Sequence, residues 1–115
     1  MMNILFICSK NQWRSPTAEL LFADREGINT LSAGTRKDAQ CVVDNELLKW
    51  ADLVLVMESK HLNRLSAHFP ATMRYKKAHV LGIPDNYRFN DPALIELLEQ
   101  KVQPYLPMEA KLSAK

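Results

Sequence analysis

The sequence predicts an α/β domain in three layers, with a four-stranded parallel sheet in the order 2-1-3-4 between helices. Two observations carry the layered, parallel part of that expectation. Short apolar runs rich in β-branched residues alternate with segments of helical period, in the order β-α-β-α-β-α-β-α. The length, 115 residues, suits a single hydrophobic core. The domain is expected over residues 1–106, with 107–115 as a polar, frayed tail.

Residues 3–7 become continuously apolar after Asn3, the pattern of a strand buried on both faces. A polar stretch runs from Cys8 to Arg14. Ser15 then reads as an N-cap and Pro16 fits a first helical turn. Ala18, Leu21 and Phe22 carry the helical spacing to about Asp24, and Gly27 ends it. Residues 29–32 read as a second strand and Ala33-Gly34-Thr35 as a turn, while 36–42 show no clear period. A helix is expected over 44–50 on Leu47, Leu48 and Trp50, and the clearest strand of the chain over 53–57. Glu58 and Ser59 lead into a helix through Phe69, with Leu62 and Leu65 on one face and Pro70 beyond its end. Residues 78–81 read as a fourth strand and 82–89 as a loop. Asp91-Pro92 opens a last helix carrying Leu94, Ile95, Leu97, Leu98 and Val102, which Pro104 closes. Trp50 and Phe69 read as core.

A net charge of +2 is too small to indicate nucleic acid. The cluster of Arg74, Lys76 and Lys77 reads as a solvated loop. Two cysteines, Cys8 and Cys41, are too few for a disulfide scaffold and fit free thiols, with Cys41 read as a buried structural thiol. No run resembles a signal peptide or approaches the ~20 apolar residues of a membrane span, so a soluble, cytoplasmic protein without a membrane partner is expected. His61, His68 and His79 lack metal-ligand spacing and read as surface or hydrogen-bonded histidines, with no metal site. No pattern points to an oligomeric state.

In a parallel sheet of this kind, ligands bind outside the carboxyl ends of the strands. The loops after Ile7, Ser32 and Leu81 are expected to converge there. The first of them, Cys8-Ser9-Lys10-Asn11-Gln12-Trp13-Arg14-Ser15, joins a strand to a helix N-terminus. Successive backbone N–H groups in such a turn form an anion-binding nest, and the helix terminus adds further donors. Arg14 can fork onto two phosphate oxygens. A cysteine at the mouth of such a site is favoured as its thiolate, an activated nucleophile. Ser15 can donate its hydroxyl to that thiolate.

The stretch Cys8 to Glu19 resembles the signature loop of the low-molecular-weight protein tyrosine phosphatases. Ser32-Ala33-Gly34-Thr35 and Ala51-Asp52-Leu53-Val54-Leu55-Val56-Met57 are similar to that family's second- and third-strand motifs, and Ile83-Pro84-Asp85-Asn86-Tyr87 to its acid loop. The resemblance implies a phosphomonoesterase that forms a phosphocysteine on Cys8, with phosphotyrosine in a protein, or a small aryl phosphate, as substrate. Arg14 would hold the phosphoryl group, Asn11 brace the loop and Ser15 support the thiolate. Asp85 would protonate the leaving oxygen and then deprotonate water, a double duty that one carboxyl group can perform. Asp91, also followed by proline, competes for that role but reads as the last helix's N-cap. Ser9, Lys10, Gln12 and Trp13 complete the substrate loop, and Tyr87 is a candidate pocket wall. Backbone amides and Arg14 supply the electrostatics, so no cofactor is expected.

The chain departs from the family at four places. Lys10 replaces a glycine that permits unusual dihedrals. Trp13 stands where a second, protective cysteine is common. Asn86 stands for a proline, and the segment between Thr35 and Ala51 is short. Two alternatives stay open: a thiol-dependent arsenate reductase, and a phosphate-binding regulatory module without turnover.

Overall fold

The computed structural model describes residues 1–112. Four strands, β1 (Met2–Cys8), β2 (Ile28–Gly34), β3 (Leu53–Val56) and β4 (Lys77–Val80), form one parallel sheet in the expected order β2-β1-β3-β4. The alternation of side chains along β1 explains the three layers. Ile4, Phe6 and Cys8 enter one core and Leu5 and Ile7 the other. Ile4, Leu5, Phe6 and Ile7 are wholly buried, each worth about 1.5–3 kcal/mol of burial.

The first core is covered by α1 (Arg14–Phe22) and α5 (Pro92–Val102) through Ala18, Phe22, Leu94, Leu98 and Val102. The second is covered by α2 (Asn45–Trp50), α3 (Ser59–His68) and the short α4 (Pro70–Met73) through Leu48, Leu65 and Met73. Asp44 and Asp91 cap α2 and α5, accepting from Leu47 N and Ala93 N. Trp50 and Phe69 are partly buried against the second core.

The structure corrects several expectations. Helix α1 starts at Arg14, with Trp13 as N-cap, because Trp13 O accepts from both Thr17 N and Thr17 Oγ1. Ser15 is therefore a buried first-turn residue, not a cap. The helix ends at Phe22, and Gly27 takes a positive φ of 81° in the turn that follows. Pro70 does not merely follow α3; it starts α4. Lys76 is tied down by donating Nζ to Ala51 O, while Arg74 and Lys77 are exposed.

Of the tail expected to fray over 107–115, Met108–Leu112 forms a helix, α6, after a 3-10 turn at Gln103–Tyr105, and 113–115 lie outside the described residues. Leu106 and Ala110 are buried in the first core. Arg25 anchors this end. Its Nη2 meets both Glu99 carboxylate oxygens at 2.9 Å, and its Nη1 donates to Ala110 O.

Residues 36–42 form a surface loop that returns to the end of β2. Gly34 N donates to Cys41 O at 2.8 Å, and Val43 N to Gly34 O at 2.9 Å. Cys41 contributes backbone there and leaves its thiol exposed, not buried as expected. Gly34 itself cannot carry a side chain: a Cβ would lie 2.4 Å from Ser9 O and 2.9 Å from Asn11 N. Gly34→Ala is expected to lower stability by about 1–3 kcal/mol, since backbone cannot yield as a flexible side chain can. Urea unfolding measures this, and a wild-type midpoint would contradict the close approach.

Candidate active site

Cys8 ends β1 and lies buried at the carboxyl edge of the sheet. The loop beyond it is stitched to the segment after β2. Cys8 O, Ser9 O and Lys10 O accept from the N–H groups of Thr35, Arg36 and Gln40, each at 3.0 Å. The peptide bonds are trans, so each following N–H, those of Ser9, Lys10 and Asn11, points away from that segment. At the start of α1, Pro16 has no N–H and Thr17 N is already bonded, which leaves Arg14 N–H and Ser15 N–H without intrahelical acceptors.

The strained residue of this loop is Asn11, with φ 55°, and not Lys10, which stands in the usual negative-φ range. A lysine is therefore compatible with the loop, because the left-handed conformation falls one residue later on an asparagine, which tolerates it. Asn11 is buried, and its Nδ2 donates to Ser15 Oγ and Ser32 Oγ, both at 2.9 Å. Ser32 in turn donates to Glu19. Ser15 Oγ accepts from Asn11, so its own hydrogen has two acceptors in reach, Cys8 Sγ at 3.0 Å and Ala33 O at 3.4 Å.

Arg14 is 2% exposed. Its Nη1 meets Glu58 Oε1 at 2.5 Å and Ile83 O at 2.8 Å, and its Nε lies 3.6 Å from Asp85 Oδ1. Burial alone would raise the Glu58 carboxyl, but the hydrogen bond and charge of Arg14 outweigh it and hold Glu58 below its usual range.

Glu58 also caps α3, in a reciprocal box with His61, whose Nδ1 accepts from Glu58 N at 3.0 Å. That fixes the tautomer: the hydrogen sits on Nε2 and is donated to Ser9 Oγ at 2.9 Å. Burial, helped by the Arg14 cation, pushes the imidazole down from 6.5 to about 4.

These groups surround a pocket of about 130 Å³. Cys8, Ser9, Lys10, Gln12, Trp13 and Arg14 come from the loop, and Asp85 from the segment after β4. Arg36 and Lys60 line the remainder. Asn11 and Ser15 support the loop from behind. Trp13 is half-buried, with the Arg88 guanidinium 5.4 Å from its ring centroid. Tyr87 packs against the first core and is not among the lining residues. Asp91 is engaged as the α5 cap, whereas Asp85 is 53% exposed at the pocket.

Sequence reasoning selects three converging loops and misses a fourth, the one after β3, which supplies Glu58, Lys60 and His61. The Glu-x-x-His spacing at the end of the third strand is a legible capping signal, but its partners lie in the distant first loop.

No family model matches the chain. It is 32% identical to the protein-arginine-phosphatase of Bacillus subtilis (strain 168) over 95 residues, which cover 59% of this chain and 63% of that relative's length. The structure is similar to that of a YwlE mutant from Bacillus subtilis, with TM-score 0.61, 27% identity and 88% of each chain covered. It is also similar to the tyrosine phosphatase Wzb from Escherichia coli K30 in complex with phosphate, with TM-score 0.72 and 28% identity, covering 98% of this chain and 100% of that one.

The His61 bridge has a pH signature. Its folded-state value lies below the unfolded 6.5, so its contribution to stability is present above 6.5 and is lost as pH falls towards about 4. Urea unfolding between pH 7 and 4 is expected to show a steeper loss of stability for wild type than for His61→Asn. Equal slopes would show that His61 is not held neutral by the fold.

Proposed function

We propose that this chain, which belongs to the low-molecular-weight protein tyrosine phosphatase family, hydrolyses phosphate monoesters through a phosphocysteine on Cys8, with phosphotyrosine as its preferred ester. The observation that carries the reading is the placement of the Cys8 thiol, 3.0 Å from Ser15 Oγ, in a pocket that Arg14 and Asp85 also line.

In the first step Cys8 Sγ, as thiolate, attacks phosphorus. The S–P bond forms, the P–O bond to the leaving group breaks, and Asp85 delivers its proton to the departing oxygen. Arg14 and the N–H groups of the loop and of the α1 terminus hold the three equatorial oxygens, where charge develops. In the second step Asp85 takes a proton from water, the water oxygen attacks phosphorus, and the S–P bond breaks. Ser15, oriented by Asn11, stabilises the returning thiolate.

The curated relative's name makes phosphoarginine the competing substrate. The rim favours the tyrosine ester. Lys10, Arg36 and Lys60 surround the opening, and Glu58 is occupied by Arg14. Among the described residues, Asp85 is then the one lining carboxylate for a cationic guanidinium leaving group. Trp13 lines the pocket and supplies aromatic surface for a phenyl leaving group to pack against. The arsenate-reductase alternative needs a shuttling thiol, and Cys41 is not among the residues lining the pocket.

Release of p-nitrophenol from p-nitrophenyl phosphate between pH 5 and 7 tests the chemistry. Cys8→Ser is expected to abolish turnover. Asp85→Asn is expected to lower kcat by about 10²- to 10⁴-fold. Inactivity of folded wild type would overturn the phosphatase reading, and full activity of Asp85→Asn would move the acid elsewhere. Phosphotyrosine, an ester, and phosphoarginine, a phosphoramidate, compared by phosphate release, decide the substrate class. A higher kcat/KM for phosphoarginine would overturn the preference for the tyrosine ester.

A further inference from the structure

Beside the catalytic pocket lies a second hollow of about 220 Å³. The two share Ser9, Arg36 and Lys60, and Arg64 lines the far side of the second. Lys60 and Arg64 are four residues apart on α3, so they stand on one face of that helix. Like charges at that spacing repel. Arg36, from the segment after β2, brings a third cation to the same hollow.

The compensation available to these cations is uneven. Arg36 is held by Asp38, with Nε 2.9 Å from Oδ1. Lys60 lies 3.8 Å from Glu58 Oε1, an oxygen that Arg14 already occupies at 2.5 Å. Arg64 forms no ion pair among the described residues. Asp38 thus compensates Arg36 and Arg14 engages Glu58, which leaves Lys60 and Arg64 as the hollow's less compensated cations.

We propose that this hollow is a second anion subsite, which receives a carboxylate side chain neighbouring the phosphotyrosine and so selects acidic phosphopeptides. The proposal rests on the phosphatase reading above. The reach is suitable. The hollows share three lining residues, and an extended peptide advances about 3.3 Å per residue, so a side chain one or two positions from the phosphotyrosine spans the gap. Arg64 is the specificity-determining residue, because it lines the second hollow and not the catalytic pocket. An acidic group there gains from Lys60 and Arg64, and less from the Asp38-paired Arg36, at a partly exposed surface, which corresponds to a several-fold preference that weakens with salt.

The test uses two phosphotyrosine heptapeptides, with Glu or with Gln at the two positions on either side, and p-nitrophenyl phosphate as control. Wild type is expected to show kcat/KM about fivefold higher for the Glu peptide at low ionic strength, falling towards equality as sodium chloride is raised. Arg64→Gln is expected to reduce the ratio and Arg64→Glu to bring it to about one or below. Circular dichroism checks that both variants fold. Equal rates on the two peptides by wild type, or a preference that survives Arg64→Glu, would overturn the subsite. Turnover of p-nitrophenyl phosphate without turnover of either peptide would overturn it too. Failure of folded wild type on all three substrates would instead overturn the phosphatase reading itself.

Discussion

Arg14 carries a full positive charge into a position almost closed to water, and the rest of the site is arranged around that fact. An unpaired buried guanidinium costs several kcal/mol, so its neighbours have to satisfy it. Glu58 arrives from the end of β3, and Ile83 O and Asp85 from the segment after β4. The sheet order β2-β1-β3-β4 makes this possible, because it places the carboxyl ends of β1 and β3 side by side with β4 next to them. The same pairing holds the guanidinium in one orientation before any anion arrives, which is what electrostatic stabilisation of a transferring phosphoryl group requires.

A second constraint concerns backbone. The loop after Cys8 lies so close to Gly34 that only hydrogen fits between them. Three loop carbonyls are then bonded to residues 35, 36 and 40, and trans geometry turns the adjoining N–H groups the other way. Asn11 takes the left-handed turn and commits its side-chain amide to Ser15 and Ser32. One residue thereby fixes the path of the loop and the direction of the hydroxyl beside Cys8. The lysine at position 10 is accommodated because the strain falls on its neighbour.

What is legible in the sequence is local. The apolar run of β1, the Ser-Pro start of the first helix and the spacing of Cys8 and Arg14 all lie within about twenty residues, and periodicity and turn chemistry report on that range. The two-faced core follows from the alternation of strands and helices, which by itself leaves the strand order open. What escapes is tertiary. Glu58 meets Arg14 across 44 residues and His61 meets Ser9 across 52, and nothing in the Glu-Ser-Lys-His segment names those partners. The helix at Met108–Leu112 escapes for the same reason: the hold on Ala110 O comes from Arg25, 85 residues earlier. Cys41 departs from its expected burial because a cysteine's usual preference says nothing of a loop that uses only its backbone.

Charge is placed differently at the floor of the pocket and at its rim. Arg14 is paired with Glu58 and faces Asp85, so the floor carries no net positive charge. An incoming phosphate dianion therefore cannot rely on net charge at the floor. The directed N–H groups of the loop and helix terminus supply the attraction there, and directed donors favour the trigonal geometry of phosphoryl transfer over a merely bound anion. The unbalanced cations stand at the rim, where solvent screens them and an exposed pair is worth about 0.2–1 kcal/mol. This division suits turnover. Strong, oriented interactions act where charge develops in the proposed reaction, while weak and salt-sensitive ones act on the rest of the substrate.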